Sequence, residues 1–248
     1  MFEDLKPHIA DLQKRLIIIS ITLGVMFFVC FAYYEPILKW ILAPIEAVLP
    51  KGSQMVAIEV SETFFTAVKV AFFGAFLVSL PVIFWQMWLF LAPGLYSNEK
   101  KIIVPFVLGA TIMFLIGAMF SYYIVVPYGF EFLVAFGSQV VAVTPSIGAY
   151  VTFFIKIVFG FGIAFELPII TFFFAVIGVV NDKMMKDFFR YAVVFIFVLA
   201  ALLTPPDVVT QFLMAVPLIL LYGVSILIAR IFNPAGKEEI YEDDESEE

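Results

Sequence analysis

Apolar positions in this chain fall in long runs separated by short polar breaks, and most runs are long enough to cross a bilayer. A hydrocarbon core of about 30 Å needs about 20 helical residues at roughly 1.5 Å each. The runs at about 16–34, 64–91, 102–126, 150–180, 191–203 and 211–229 therefore predict six transmembrane helices in an all-α integral membrane fold. The fifth would rise only ~20 Å, so the fifth and sixth spans, joined by Thr204-Pro205-Pro206-Asp207, read as short, thinning the membrane or staying shallow. Ahead of the first run, Phe2, Leu5, Ile9, Leu12 and Leu16 alternate spacings of three and four among charges, which predicts an amphipathic interfacial helix over 1–15. The first run is too long for a cleavable signal peptide and lacks a small-residue cleavage site.

The breaks carry their own patterns. Residues 35–62 mix Pro36, Pro44, Pro50 and Gly52 with apolar positions at helical spacing, predicting short helices that cap one membrane face and then an extended stretch through Val56, Ile58 and Val60. Ser61 reads as an N-cap for the second span, and Trp85, Trp88 and Phe90 as interfacial rings at its far end. A second long loop, 127–149, holds an aromatic piece (Tyr128, Phe130, Phe132, Phe136) and closes at Thr144-Pro145-Ser146. No internal repeat is evident.

Composition strengthens this picture and corrects one impression. At 63% hydrophobic residues and a mean hydropathy of +1.07, the chain is outside the soluble range. The net charge of -7 comes from the tail: eight of the 21 acids lie beyond Lys237, leaving 13 acids against 14 bases. Residues 1–230 thus form one membrane domain, and 231–248 an acidic tail expected to be disordered and cytoplasmic. Ten of the Lys and Arg residues fall in the N-tail, the 92–101 and 181–190 turns and the C-tail, against Lys39 and Lys51 in the 35–62 loop. The positive-inside rule then puts both termini in the cytoplasm of a multi-pass inner-membrane protein.

Several chemistries are excluded. With one cysteine (Cys30) and one histidine (His8) there is no intrachain disulfide and no zinc or haem ligand set, and no Gly-x-x-x-x-Gly-Lys phosphate loop occurs. Serine-type catalysis lacks a histidine at depth, and aspartyl-type catalysis lacks a second deep carboxylate. No cofactor, metal or nucleic acid is expected, and the chain does not read as an enzyme.

Three constellations remain. Glu166, inside the fourth run, sits at membrane depth, where a carboxylate costs at least ~2.5–3.5 kcal/mol on insertion scales and requires a cavity, a partner or a proton. Lys69 and Lys156 stand near the outer ends of their spans, from which a lysine snorkels. Asp11 and Glu99 are acids flanked by bases at the cytoplasmic edge; converged, they would take guanidinium groups, and otherwise they are solvated charges. Thr204, Asp207 and Gln211 stand at the junction of the last two runs, where Asp207 suits a helix N-terminus and Thr204 and Gln211 suit hydrogen bonds to a neighbouring span.

Four segments then carry a resemblance. His8 through Arg15, Ala92-Pro93-Gly94-Leu95-Tyr96 through Glu99, Phe161-Gly162 through Glu166-Leu167-Pro168, and Leu203-Thr204-Pro205-Pro206-Asp207 resemble, in order and spacing, the signature segments of the TatC family, the six-span receptor subunits of the twin-arginine protein translocase. The resemblance extends to Arg230 and implies recognition of the paired arginines of signal peptides on folded cargo. It assigns Glu99 and Asp11 to those arginines, with Phe90, Leu12 and Arg15 lining the site. The family pattern has Glu where Asp11 stands and Arg where Gln13 stands. The resemblance further implies that Glu166 faces a concave groove. It makes Thr204, Gln211 and Asp207 the docking region for single-span TatA and TatB partners, within a larger, homo-oligomeric, lipid-embedded complex. The alternative reading is a proton-coupled small-solute or ion transporter that uses Glu166.

Overall fold

The computed structural model of the chain describes residues 2–50, 53–91, 103–137 and 144–233. Regular structure among them is helical, apart from a single parallel bridge between Val56 and Ser146. Five helical stretches are long and apolar enough to cross a membrane: Ile9–Ala32, Glu62–Phe90, Val104–Phe136, Ile147–Val176 and Val208–Phe232. The chain divides into two compact units whose boundaries fall inside continuous helices, at Ile112/Met113, Phe132/Leu133 and Ile155/Lys156.

The first unit is built on α1 (Phe2–Ala32), α2 (Tyr34–Glu46) and α3 (Glu62–Leu91). The predicted interfacial helix and first span are one uninterrupted helix, since nothing between Lys14 and Leu16 breaks the backbone. Helix α1 packs along α3, where Cys30 meets Ala71 and Ala75 with Phe27, Phe31 and Ile37 around them. Gly74 allows the approach: a Cβ there would stand 3.2 Å from the Cys30 Sγ. The cap expected as several short helices is the single helix α2, with Ile41 and Ile45 fully buried and the Tyr150 hydroxyl donating to the Ile41 carbonyl at 2.8 Å. Of the stretch predicted to be extended, Val56 alone pairs, with Val56 N donating to Pro145 O and Ile147 N donating to Val56 O, both at 3.1 Å. Trp88 is not an interfacial ring. It is buried edge-on against Phe106 at 4.3 Å, because the first half of α4 (Ile103–Phe120) covers that face of α3; Trp85 is the exposed one.

In the second unit, the helix predicted to stop near 126 continues. Between α4 and α5 (Val126–Gly137), residues Ser121–Val125 form a π-helical turn, and Val126 N–H bonds to the Ser121 carbonyl. A proline inside an α-helix has no N–H and clashes with the carbonyl four residues back. The wider turn just before Pro127 accommodates both, so the aromatic piece stays helical instead of becoming a loop. The fourth predicted run is split into α6 (Ile147–Phe165) and α7 (Leu167–Val176), with Glu166 between them and Pro168 in the first turn of α7. Helix α7 ends at Val176 and is turned off just beyond its C-cap by Gly178, whose φ of +78° no β-carbon residue adopts cheaply; Gly178 N bonds back to Ala175 O.

Helix α8 (Asp182–Leu203) contains the short apolar run 191–203, lengthened to 22 residues by a charged start that Asn181 caps through Met184 N at 2.9 Å. Helix α9 (Val208–Phe232) spans 25 residues. By helix length the sixth run is therefore not short, since Asp207 starts it before 211 and Arg230 lies within its last turn. Helix α9 packs on α7 and α8, with the Tyr222 hydroxyl on Met185 O (3.0 Å) and Asn233 Nδ2 on Val180 O (3.1 Å) fixing its far end.

Candidate functional site

At the N-terminal end of α1, four residues separate Asp11 from Arg15, so one helical face carries both. Arg15 Nε donates to Asp11 Oδ2 at 2.7 Å, with the two side chains 17% and 35% exposed respectively. Leu12, next to the carboxylate, is exposed to 39%. Phe90, in the last turn of α3, is half-buried. Glu99 lies outside the described residues, as does the acidic tail beyond Asn233, so the structure brings Asp11, Leu12 and Arg15 together on one helix and leaves the second acid undescribed.

Glu166 occupies the α6–α7 hinge. Its N–H bonds to Ile163 O at 3.1 Å, a tightened turn, and its carbonyl accepts from Ile170 N at 2.8 Å. Pro168 supplies no N–H to the carbonyl of Ala164, so the ladder is interrupted where the acid stands. The side chain is 7% exposed, and Oε1 has no hydrogen-bond partner among the described residues. Its flank is held tightly. A Cβ on Gly117 of α4 would come within 2.6 Å of the Phe161 carbonyl and 2.9 Å of Phe165, and Phe120 packs on both rings at 5.4 and 5.7 Å.

The α8–α9 connection is built from the third constellation. The Thr204 hydroxyl bonds back to Ala200 O at 2.8 Å, ending α8. Asp207 is the N-cap of α9, accepting from Thr210 N at 2.7 Å and from the Thr210 hydroxyl. Gln211 Nε2 reaches across to Phe197 O at 3.1 Å. Thr204 and Gln211 therefore have partners within the chain, and the outward surface here is apolar, with Leu202, Val208 and Phe212 exposed.

One carboxylate with a structural role is absent from the candidates the sequence offers. Glu62 opens α3, and its Oε1 accepts from the Ser146 hydroxyl and from Gly148 N (2.6 Å) while Oε2 accepts from Ile58 N (2.6 Å) and Glu59 N (3.3 Å). Glu62 thus ties the segment ahead of α3 to the start of α6, and a Cβ on Gly148 would stand 2.8 Å from its Cγ. Among the described residues no group of three or more His, Cys, Asp or Glu could hold a metal ion.

Comparison with known proteins extends these observations. The family model described as Sec-independent protein translocase protein (TatC) matches residues 7–217. The chain is 55% identical over 240 residues to the Sec-independent protein translocase protein TatC of Campylobacter jejuni, covering 96% of this chain and 98% of that one. It is 47% identical over 238 residues to that of Helicobacter pylori strain 26695, covering 96% and 92%. Among solved structures, a crystal structure of the twin arginine translocase receptor TatC superposes with a TM-score of 0.82 at 34% identity, covering 90% of this chain and 98% of that chain.

Proposed function

Because the chain belongs to the TatC family of Sec-independent protein translocase proteins, we propose that it is the receptor of a twin-arginine translocase, holding the paired arginines of signal peptides at the cytoplasmic face. It acts without catalysis, as a multi-span inner-membrane transport component. In this reading the helices make six spans with both termini inside, α8 crossing although its first turns are charged.

The observation that carries the reading is Asp11 accepting a guanidinium N–H on the exposed end of α1. A register argument adds Phe90. Consecutive spans run in opposite directions, and Cys30 of α1 lies against Ala71 and Ala75 of α3. Counting back along α1 to Asp11 gives about 28 Å, and counting on along α3 to Phe90 gives about 22–28 Å, so the two reach the same level. Glu99, a few residues beyond α3, is the proposed second acid. Leu12 and Phe90 would receive the apolar residues that flank the arginines, and Arg15 sets the geometry of Asp11.

Single-span partners of the TatA and TatB kind are assigned to the exposed apolar surface beside Thr204, Asp207 and Gln211, and copies of the chain associate within the larger complex. Glu166, buried at the α6–α7 hinge in this conformation, would be reached by a signal hairpin or partner span through a concave groove that opens at membrane depth. The transporter reading has little support: a proton relay needs successive titratable groups, and Glu166 is the one carboxylate well inside the described membrane helices.

The test is peptide binding to the purified protein in detergent. A planar guanidinium makes paired hydrogen bonds that an ammonium does not, and charged hydrogen bonds are worth about 1.5–3 kcal/mol, so an Arg-Arg signal peptide should bind roughly tenfold or more tighter than its Lys-Lys version. Glu99→Ala should remove most of that difference. Equal affinities for the two peptides would overturn the reading.

A further inference from the structure

We propose that Lys69 and Thr152 form a headgroup site for an anionic phospholipid of the outer leaflet. Lys69 lies two turns into α3, and its ammonium does not extend along its own helix toward the membrane edge. It donates sideways to Thr152 Oγ1 at 2.9 Å, and Thr152 spends its own proton on Gly148 O at 2.7 Å. The hydroxyl is thereby fixed as an acceptor, and the ammonium, which has three donors, keeps two for something outside the protein.

No described carboxylate makes an ion pair with Lys69. The acid two turns away on the same face, Glu62, already takes four donors from the outer loops. An anion that meets it comes from outside the chain, and depth identifies its kind. The apolar stretch Glu62–Phe90 of α3 is 29 residues, about 43 Å, so it exceeds a ~30 Å hydrocarbon core by about 7 Å at each end. Lys69, seven residues in, is about 10 Å from the helix start, which puts its backbone just inside the hydrocarbon boundary and its ammonium within reach of phosphodiester oxygens. Phe65 and Phe72, one turn to either side of Lys69, are 58% and 53% exposed and offer an apolar flank to acyl chains. The site thus selects a net negative phosphate whose chains lie against α3, such as phosphatidylglycerol, over a zwitterionic headgroup that brings its own cation.

The experiment uses the full chain with its lysines reductively 13C-methylated, in neutral detergent. The Lys69 resonance is assigned by its disappearance in Lys69→Arg, and the protein is titrated with phosphatidylglycerol, with phosphatidylcholine of the same chains, and with inorganic phosphate. A saturable shift at Lys69, with half-saturation at a phosphatidylglycerol fraction about fivefold or more below that for phosphatidylcholine, is expected. Thr152→Val should weaken it, and Lys186, already bonded to Asp182, should not move. An unmoved Lys69 resonance or equal response to both lipids would overturn the proposal, as would saturation by inorganic phosphate alone, which would make the site one for free anions.

Discussion

Replacing Gly117 with alanine should loosen the α4–α6 contact beside Glu166. The new Cβ would sit 2.6 Å from the backbone oxygen of Phe161 and 2.9 Å from Cβ and Cγ of Phe165. Ordinary carbon–oxygen contacts begin near ~3.2 Å, and a carbonyl inside a helix cannot rotate away, so the two helices must separate by about half an ångström. That separation also spoils the ring packing of Phe120 on Phe161 and Phe165. Overpacking of this kind costs about 1–3 kcal/mol, and the backbone identity of the obstacle argues for the upper half of that range. At roughly 2–4 °C per kcal/mol for a chain of this size, thermal unfolding in detergent should fall by about 4–12 °C. Gly24→Ala is the matched control, since nothing lies within 4 Å of the added carbon; relieved of a helix-interior glycine, it should unfold no lower than the parent and up to about 4 °C higher. If Gly117→Ala unfolded with the control, the close approach of α4 to α6 would not hold this region together.

Two further substitutions test separate contacts. Glu62→Gln keeps the shape but puts an NH2 group where an oxygen faced two donors, so the amides of Val56 and Ile147 should exchange with solvent faster by about tenfold or more while those of α9 do not change; unaltered exchange at Val56 would mean the carboxylate does not hold the loops. Gln211→Leu removes the bond to Phe197 O, and such bonds between membrane helices average about 0.6 kcal/mol, so the chain should unfold within about 3 °C of the parent. Loss of single-span partners at unchanged stability would then assign Gln211 to the docking surface, whereas parallel loss of both would confine it to packing α8 on α9.

The helices were legible because a membrane protein writes them in length and hydropathy, and these survive any tertiary arrangement. The interruptions are less legible. Pro127 and Pro168 look alike in sequence, yet the first lies in a continuing helix and the second opens a new one. The difference is a π turn over Ser121–Val125 that precedes one proline and not the other. Asp11 and Arg15 were readable as a pair of charges because their spacing alone puts them on one helix face. The engagement of Glu62 by Ser146 and Gly148 spans more than eighty positions, and no local pattern announces it. Residue type alone points Trp88 to the interface, and packing against Phe106 overrides that preference.

The position of Glu166 limits what it does. A carboxyl on an unbroken helix face would point where the helix rotation puts it, but this one stands where the ladder is already broken, one turn after Ile163 and just before Pro168. The backbone there offers a carbonyl, that of Ala164, from which Pro168 withholds the usual donor, and the side chain adds an oxygen with no partner among the described residues. The hinge therefore concentrates acceptors at one level of the membrane and is braced from behind by Gly117, Phe120 and Phe165. A buried carboxyl oxygen with no partner among the described residues suits an incoming donor, and a relay would need a second titratable group in line. The same hinge that disfavours a transporter is compatible with the proposed receptor reading.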